Sequence, residues 1–155
     1  MMHIMTMEIP YFKQETDWTC GPAVMRMILA SFGIQKTEEE LAEQLETNTE
    51  KGTLYGNLLK LAERYGFRHM SDINGNLNDL KNLIKEGFKV IVCYYCPEED
   101  TDHYAIVKDI DSDFVYLLDP WYGPDYSFSL KEFINMWKND PKYSEIKGWF
   151  VALKK

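Results

Sequence analysis

The chain has 155 residues, 45% of them hydrophobic and 14% aromatic, and a formal net charge of −8. That length and apolar content suit one domain with a sizeable core and exclude a disordered chain; the acidic balance, with no Lys or Arg cluster, excludes a binder of nucleic-acid backbone. Three cysteines make no disulfide framework, and their odd number leaves at least one thiol free, which suits a reducing compartment.

Met1 to Met7 has neither a basic start nor a long apolar run, and no segment reaches the roughly 20 apolar residues of a membrane span. A cytoplasmic protein without membrane insertion is expected. Met7 to Phe12 reads as a short extended entry, because Pro10 disfavours a helix. From Cys20 or Gly21 to Phe32, apolar residues recur at Ala23, Val24, Met27 and Ile28 with helical period, and Gly33 is the natural stop. Thr37 with Glu40 resembles a capping box for a second helix carrying Leu41, Ala42 and Leu45. Thr53 can cap a third helix, with Leu54, Leu58, Leu61 and Ala62 as its stripe and Gly66 at its end. Asn76 can cap a fourth, running to Gly87.

The pattern then turns to strands. Phe88 to Tyr95, His103 to Ile110 and Phe114 to Leu118 are short runs rich in β-branched and aromatic residues. Asp111-Ser112-Asp113 joins the last two, and Asp119-Pro120 leads into a loop from Trp121 to Tyr126. Ser129 caps a last helix through Trp137, and Ile146 to Leu153 supplies a final strand. Helices followed by a meander of strands predict a single α+β domain over residues 1–155, its N-terminal helices packed on a C-terminal antiparallel sheet.

The chemistry-bearing stretch runs from Gln14 to Cys20-Gly21. Cys20 falls at the start of an apolar helix, where the positive end of the helix dipole favours a thiolate; the alternative is a small residue packing under the helix. A nucleophilic thiol needs a base, and there are three histidines. His3 lies in the terminal tail. His69 has no acidic partner at an obvious spacing. His103 opens a strand, where functional groups commonly collect. With the turn centred near Asp111, antiparallel pairing matches residues whose numbers sum to about 222 and sets Asp119 opposite His103. Asp109 lies about 20 Å along the strand at 3.3 Å per residue, and Asp102 points to the opposite face. Asp119 is therefore the better orienter, or else a turn residue before Pro120. Gln14 could donate to an oxyanion beside the Cys20 N–H.

Together, Gln14, then Cys20-Gly21 six residues on, His103-Tyr104-Ala105-Ile106-Val107 and Leu118-Asp119-Pro120 resemble the papain-like cysteine peptidases of the bacteriocin-processing, or double-glycine, family. The likeness spans about residues 9 to 153. It implies a papain-like cysteine proteinase fold and cleavage of a peptide or amide bond through an acyl-enzyme. Cys20 would be nucleophile, His103 general base and acid, Asp119 orienter and Gln14 oxyanion donor. Trp18, Trp121 and Tyr122 are expected to line the substrate cleft. Thr19-Cys20-Gly21-Pro22 is closer to free-standing relatives than to transporter-linked ones. A peptide-binding module without turnover, or an acyl or peptidyl transferase, would use the same scaffold.

No cofactor or metal is expected. Cys93-Tyr94-Tyr95-Cys96 has metal-pair spacing, but residues three apart on a strand point to opposite faces and no second pair completes a tetrahedral site. Glu38-Glu39-Glu40 reads as a solvated helix start and Glu98-Glu99-Asp100 as a loop.

Overall fold

The computed structural model describes residues 9–155; His3 and the first residues of the expected entry segment lie outside them. The elements run α1 (Cys20–Ser31), α2 (Glu38–Gln44), α3 (Tyr55–Arg64), β1 (Arg68–Asp72), α4 (Leu77–Lys85), β2 (Lys89–Cys96), β3 (Thr101–Ile110), β4 (Phe114–Asp119), β5 (Gly123–Ser129), α5 (Leu130–Lys138) and β6 (Phe150–Lys154). The strands form one sheet in the order β1-β6-β2-β3-β4-β5, antiparallel at every pairing. This is the expected α+β class.

Side chains alternate along a strand, so the sheet feeds two cores. On one face, Ile91 and Cys93 of β2, Tyr104 and Ile106 of β3 and Leu118 of β4 join the apolar residues of α1, α2 and α3. On the other, Val92, Tyr94, Ala105, Val107 and Leu117 meet Leu80 and Leu83 of α4 and Phe133 and Trp137 of α5. Helix α1 is buried almost all round: Ala23, Val24, Met25, Met27, Ile28 and Leu29 have no exposed surface. Each large apolar side chain so buried stabilises by roughly 1.5–3 kcal/mol, so Cys20 stands on a rigid platform.

Local signals set most helix ends. Asn76 with Asp79 and Ser129 with Glu132 form reciprocal capping boxes, and the Thr37 side chain accepts from the Glu40 N–H. Thr53 departs from expectation: Leu54 is the cap position of α3, and the Thr53 hydroxyl instead bonds Thr47 Oγ1 at 2.7 Å. The stretch expected as a loop after Trp121 is in part strand β5. It is an edge strand, where the missing N–H of Pro124 costs no ladder bond.

The β3–β4 register also departs. Ile106 pairs with Leu118 and Val107 with Leu117, and the register shifts between Val107 and Asp109. Carried on by one residue, the ladder sets Ala105 rather than His103 beside Asp119. The turn falls later than expected because the Asp111 N–H donates to Phe114 O at 3.0 Å and Asp111 Oδ1 accepts from the Asp113 and Phe114 N–H groups. A displacement of two residues preserves the face, so His103 and Asp119 become diagonal neighbours on one side of the sheet. Among the described residues, no helix is long and apolar enough to cross a membrane.

Candidate active site

Cys20 is the first residue of α1, and the cap position before it makes no side-chain bond to the helix. The Thr19 hydroxyl turns instead to Thr16 Oγ1 (2.7 Å) and Glu38 Oε2 (3.0 Å). That leaves the first helical N–H groups open, and the Cys20 sulfur sits near the backbone of Gly21, of Cys20 itself and of Tyr104 across on β3. Gly21 lets the start of α1 pass close to Thr53: a Cβ there would lie 2.2 Å from Thr53 Oγ1. Thr53 is held in turn, its carbonyl accepting from the Tyr104 hydroxyl at 2.6 Å. The backbone N–H groups pull the thiol pKa down, but burial dominates and, with the Asp119 charge, pushes it up to about 11. Desolvation outweighs the helix terminus, opposite to the direction expected from position alone.

His103 is 7% exposed and lies on the Tyr94 face of the sheet, its ring 5.8 Å from the Tyr94 ring and 5.7 Å from that of Tyr122. Its Nε2 bonds Glu99 Oε2 at 3.0 Å. Asp119 is fully buried. Its Oδ2 accepts from the Tyr94 hydroxyl at 2.6 Å, and its Oδ1 accepts from the Trp121 and Tyr122 N–H groups, both at 2.9 Å. Burial and the Asp119 charge push the Tyr94 phenol pKa up, so its proton stays on the donor side of that bond. The structure thus brings Cys20 to the β3 backbone one residue beyond His103. The imidazole's partner in this arrangement is Glu99, and Asp119 reaches it through the Tyr94 ring.

Gln14 is 5% exposed. Its backbone N–H donates to Pro120 O at 2.9 Å, joining the loop before α1 to the end of β4, and the Tyr11 hydroxyl adds a bond to Asp119 O at 2.6 Å. Its Nε2 donates to Thr16 O at 2.6 Å, while its Oε1 is buried without a partner among the described residues. Trp18 is half-buried, and Trp121 and Tyr122 are 36% and 39% exposed. Lys13 Nζ lies 5.3 Å from the Trp121 ring centre, and Tyr122 stacks on Tyr126 at 4.8 Å. His69 pairs with Glu63 at 3.1 Å on the surface, a partner that the turn at Gly66 brings back and that linear spacing hides.

A model of the peptidase C39 family matches residues 8–140. The chain belongs to the peptidase C39 family. An uncharacterized protein of Methanothermobacter thermautotrophicus is 37% identical over 111 residues, covering 71% of this chain and 70% of the relative. Among solved structures, a candidate C39-like peptidase from Bacillus anthracis superposes with a TM-score of 0.76 at 17% identity, covering 96% of this chain and 95% of that one. A double-glycine-motif protease from an AMS/PCAT transporter, in complex with the leader peptide, gives 0.72 at 21% identity, covering 96% and 93%. At those identities the structures speak for the fold, which is that of the C39 peptidases.

Within this C39 chain, sequence reading overlooks Glu38, Tyr94 and Glu99. Glu38 opens an acidic run expected to be solvated, yet it is 3% exposed. Its carboxyl oxygens accept from the Glu15 N–H (3.1 and 2.9 Å) and the Thr19 hydroxyl, so α2 holds the loop carrying Gln14 to Cys20. Burial raises its pKa, against the opposing pull of those donors. Glu38→Ala removes the acceptor of the part-buried Glu15 N–H and one of the acceptors of the Thr19 hydroxyl, which keeps Thr16 O at 3.3 Å, and is expected to cost about 1–2 kcal/mol in a thermal melt. It is also expected to lower kcat/KM roughly 10- to 100-fold by misplacing Cys20, with Glu38→Gln restoring most of both.

Proposed function

We propose that this protein is a cysteine peptidase whose nucleophile is Cys20 and whose general base and acid is His103. The observation that carries this reading is the seat of the Cys20 sulfur, at the open N-terminus of α1 and against the Tyr104 N–H that follows His103. Family membership supports it. In the arrangement described, the thiol is neutral and Glu99 holds the imidazole, so activation requires the ring to turn from Glu99 toward Cys20. His103 then takes the thiol proton, and the sulfur attacks the scissile carbonyl carbon. The Cys20 N–H and the second Nε2 hydrogen of Gln14 would receive the oxyanion. His103 returns its proton to the departing amine, and water, deprotonated by the same imidazole, cleaves the thioester. Asp119 steadies the ring through Tyr94, and Trp18, Trp121 and Tyr122 would flank the substrate. The leader peptide bound to the AMS/PCAT protease makes an extended peptide ending in two glycines the first substrate to try.

A test uses such a peptide carrying a C-terminal chloromethyl ketone, whose carbon forms a thioether with the attacking sulfur as chloride leaves, with mass spectrometry of the labelled chain. Labelling is expected at Cys20 and is expected to fall in His103→Ala. Labelling that ignores His103, or that falls on Cys93 or Cys96 instead, removes the reading. The Glu99 contact and the raised thiol favour a second reading, a peptide-binding module without turnover; equal peptide affinity in the parent and Cys20→Ala, with no product from either, would select it.

The thiol also sets a pH dependence. Alkylation of the peptide-free protein by iodoacetamide is expected to rise with pH to a midpoint near 11, rather than the usual 9.0. The folded chain keeps this proton where the unfolded chain has released it, so the Cys20 contribution to stability is present below pH 9 and lost as pH rises through about 11. Melts of the parent and Cys20→Ala across that window isolate it.

A further inference from the structure

The turn from Pro97 to Asp100 joins β2 to β3, with the Glu99 N–H donating to Cys96 O at 3.3 Å. It gathers one donor from the end of β2, one from the turn and one from the start of β3. Cys96 Sγ is 3.7 Å from Glu99 Oε2, His103 Nε2 is 3.0 Å from the same oxygen, and all three donor atoms lie within 4.8 Å of one another. Zinc bonds of about 2.0–2.3 Å in a tetrahedron set ligands about 3.3–3.7 Å apart, so small side-chain shifts would admit an ion. We propose that Cys96, Glu99 and His103 form a site for a thiophilic divalent cation of the zinc type, and that its occupation withholds His103 from Cys20.

The donor set is one sulfur, one imidazole nitrogen and one carboxylate oxygen, which zinc accepts together and magnesium or calcium does not. Cys96 and His103 are 4% and 7% exposed, while Glu99 is exposed and gives the ion its way in. The surroundings hold the donors: Tyr94 stacks on the imidazole, and the Tyr122 hydroxyl bonds Glu99 and lies 3.7 Å from the Cys96 sulfur. Glu98 Oε2, 3.4 Å from that sulfur, can fill the fourth position, or water can. On binding, the Cys96 thiol releases its proton to solvent and ligates as thiolate. Cys93 takes no part, because strand alternation sends it to the other core.

Metal binding stands on the hairpin geometry alone; inhibition rests on His103 being the general base. The full chain bearing Cys20→Ala, stripped with chelator, is titrated with Co²⁺. The expected result is one ion per chain, with a thiolate-to-cobalt charge-transfer band and the intense visible bands of four-coordinate cobalt. Cys96→Ser is expected to lose the charge-transfer band and weaken binding at least about 100-fold; Glu99→Gln, at an exposed position where folding is not at stake, is expected to weaken it about 10-fold or more. Absence of the band, or its survival in Cys96→Ser, overturns the site. With Cys20 intact, zinc is expected to suppress Cys20-dependent cleavage reversibly, and Cys96→Ser to match the parent without metal yet resist zinc. Equal inhibition of both overturns the inhibitory role. A Cys96-dependent band in a chain with no peptidase activity leaves the site standing and removes the peptidase reading; activity without the band does the reverse.

Discussion

Cys20→Ala is expected to abolish cleavage of a susceptible peptide, lowering kcat by about five to six orders of magnitude. The effect is large because no other group can supply the attacking atom. Cys93 is buried in the core on the α1 face, its thiol pushed well up by burial, and Cys96, which shares the His103 face, is engaged by Glu98, Glu99 and Tyr122 and has its thiol raised by burial as well. His103→Ala is expected to cost about 10²–10⁴-fold. That loss should appear in kcat more than in KM, because the imidazole moves the proton of a thiol that burial holds at about 11. Single-turnover cleavage, followed by mass spectrometry of the thioester, measures both. Cleavage at the parental rate by Cys20→Ala would make Cys20 a packing residue under α1.

Asp119→Ala is expected to be the most destabilising single change at the site, costing about 3 kcal/mol or more. It strips the acceptor from three donors at once, the Tyr94 hydroxyl and the Trp121 and Tyr122 N–H groups, around a residue with no exposed surface. Hydrogen bonds to charged groups contribute about 1.5–3 kcal/mol each, and buried donors left unpaired cost a similar amount. In a domain of this size that corresponds to a melting temperature lower by roughly 10 °C. Asp119→Asn keeps Oδ1 for the two backbone donors but sets an amide N–H₂ against the Tyr94 hydroxyl, which must then turn to accept. It is expected to recover about half the stability. Activity in Asp119→Asn should fall further than stability, since Tyr94 carries the hold on the His103 ring. An Asp119→Asn protein with parental stability and parental activity would leave Asp119 a turn residue before Pro120.

Much of the architecture was readable from local chemistry. Asn76-Asp79 and Ser129-Glu132 announce two helices by reciprocal caps, and the apolar period after Cys20 marks α1 to within a residue. The β-branched and aromatic run from Phe88 to Tyr95 marks β2, which spans Lys89–Cys96, to within a residue at each end. These signals act within a turn or two of chain, so no folding partner is needed to interpret them. Thr53 shows the limit: it has a cap's chemistry, but Thr47 and the close pass of Gly21 draw it elsewhere. The hairpin arithmetic failed by two residues because the turn and the β3 irregularity are matters of backbone hydrogen bonding that composition does not report. It still found the correct face, since an even displacement leaves the alternation of side chains unchanged.

The sequence on its own was enough for the α+β class, the family likeness and the candidate set of Gln14, Cys20, His103 and Asp119, because periodicity, caps and motif spacing are written in neighbouring residues. What each candidate touches came only from folding. Burial, not the helix terminus, governs the Cys20 thiol; Tyr94 stands between Asp119 and His103; and a glutamate from an apparently solvated run braces the nucleophile loop. The physical reason is common to all three. Desolvation and hydrogen-bond partnership depend on groups that the chain brings together from 19 to 84 residues away, and nothing in their local sequence records the meeting.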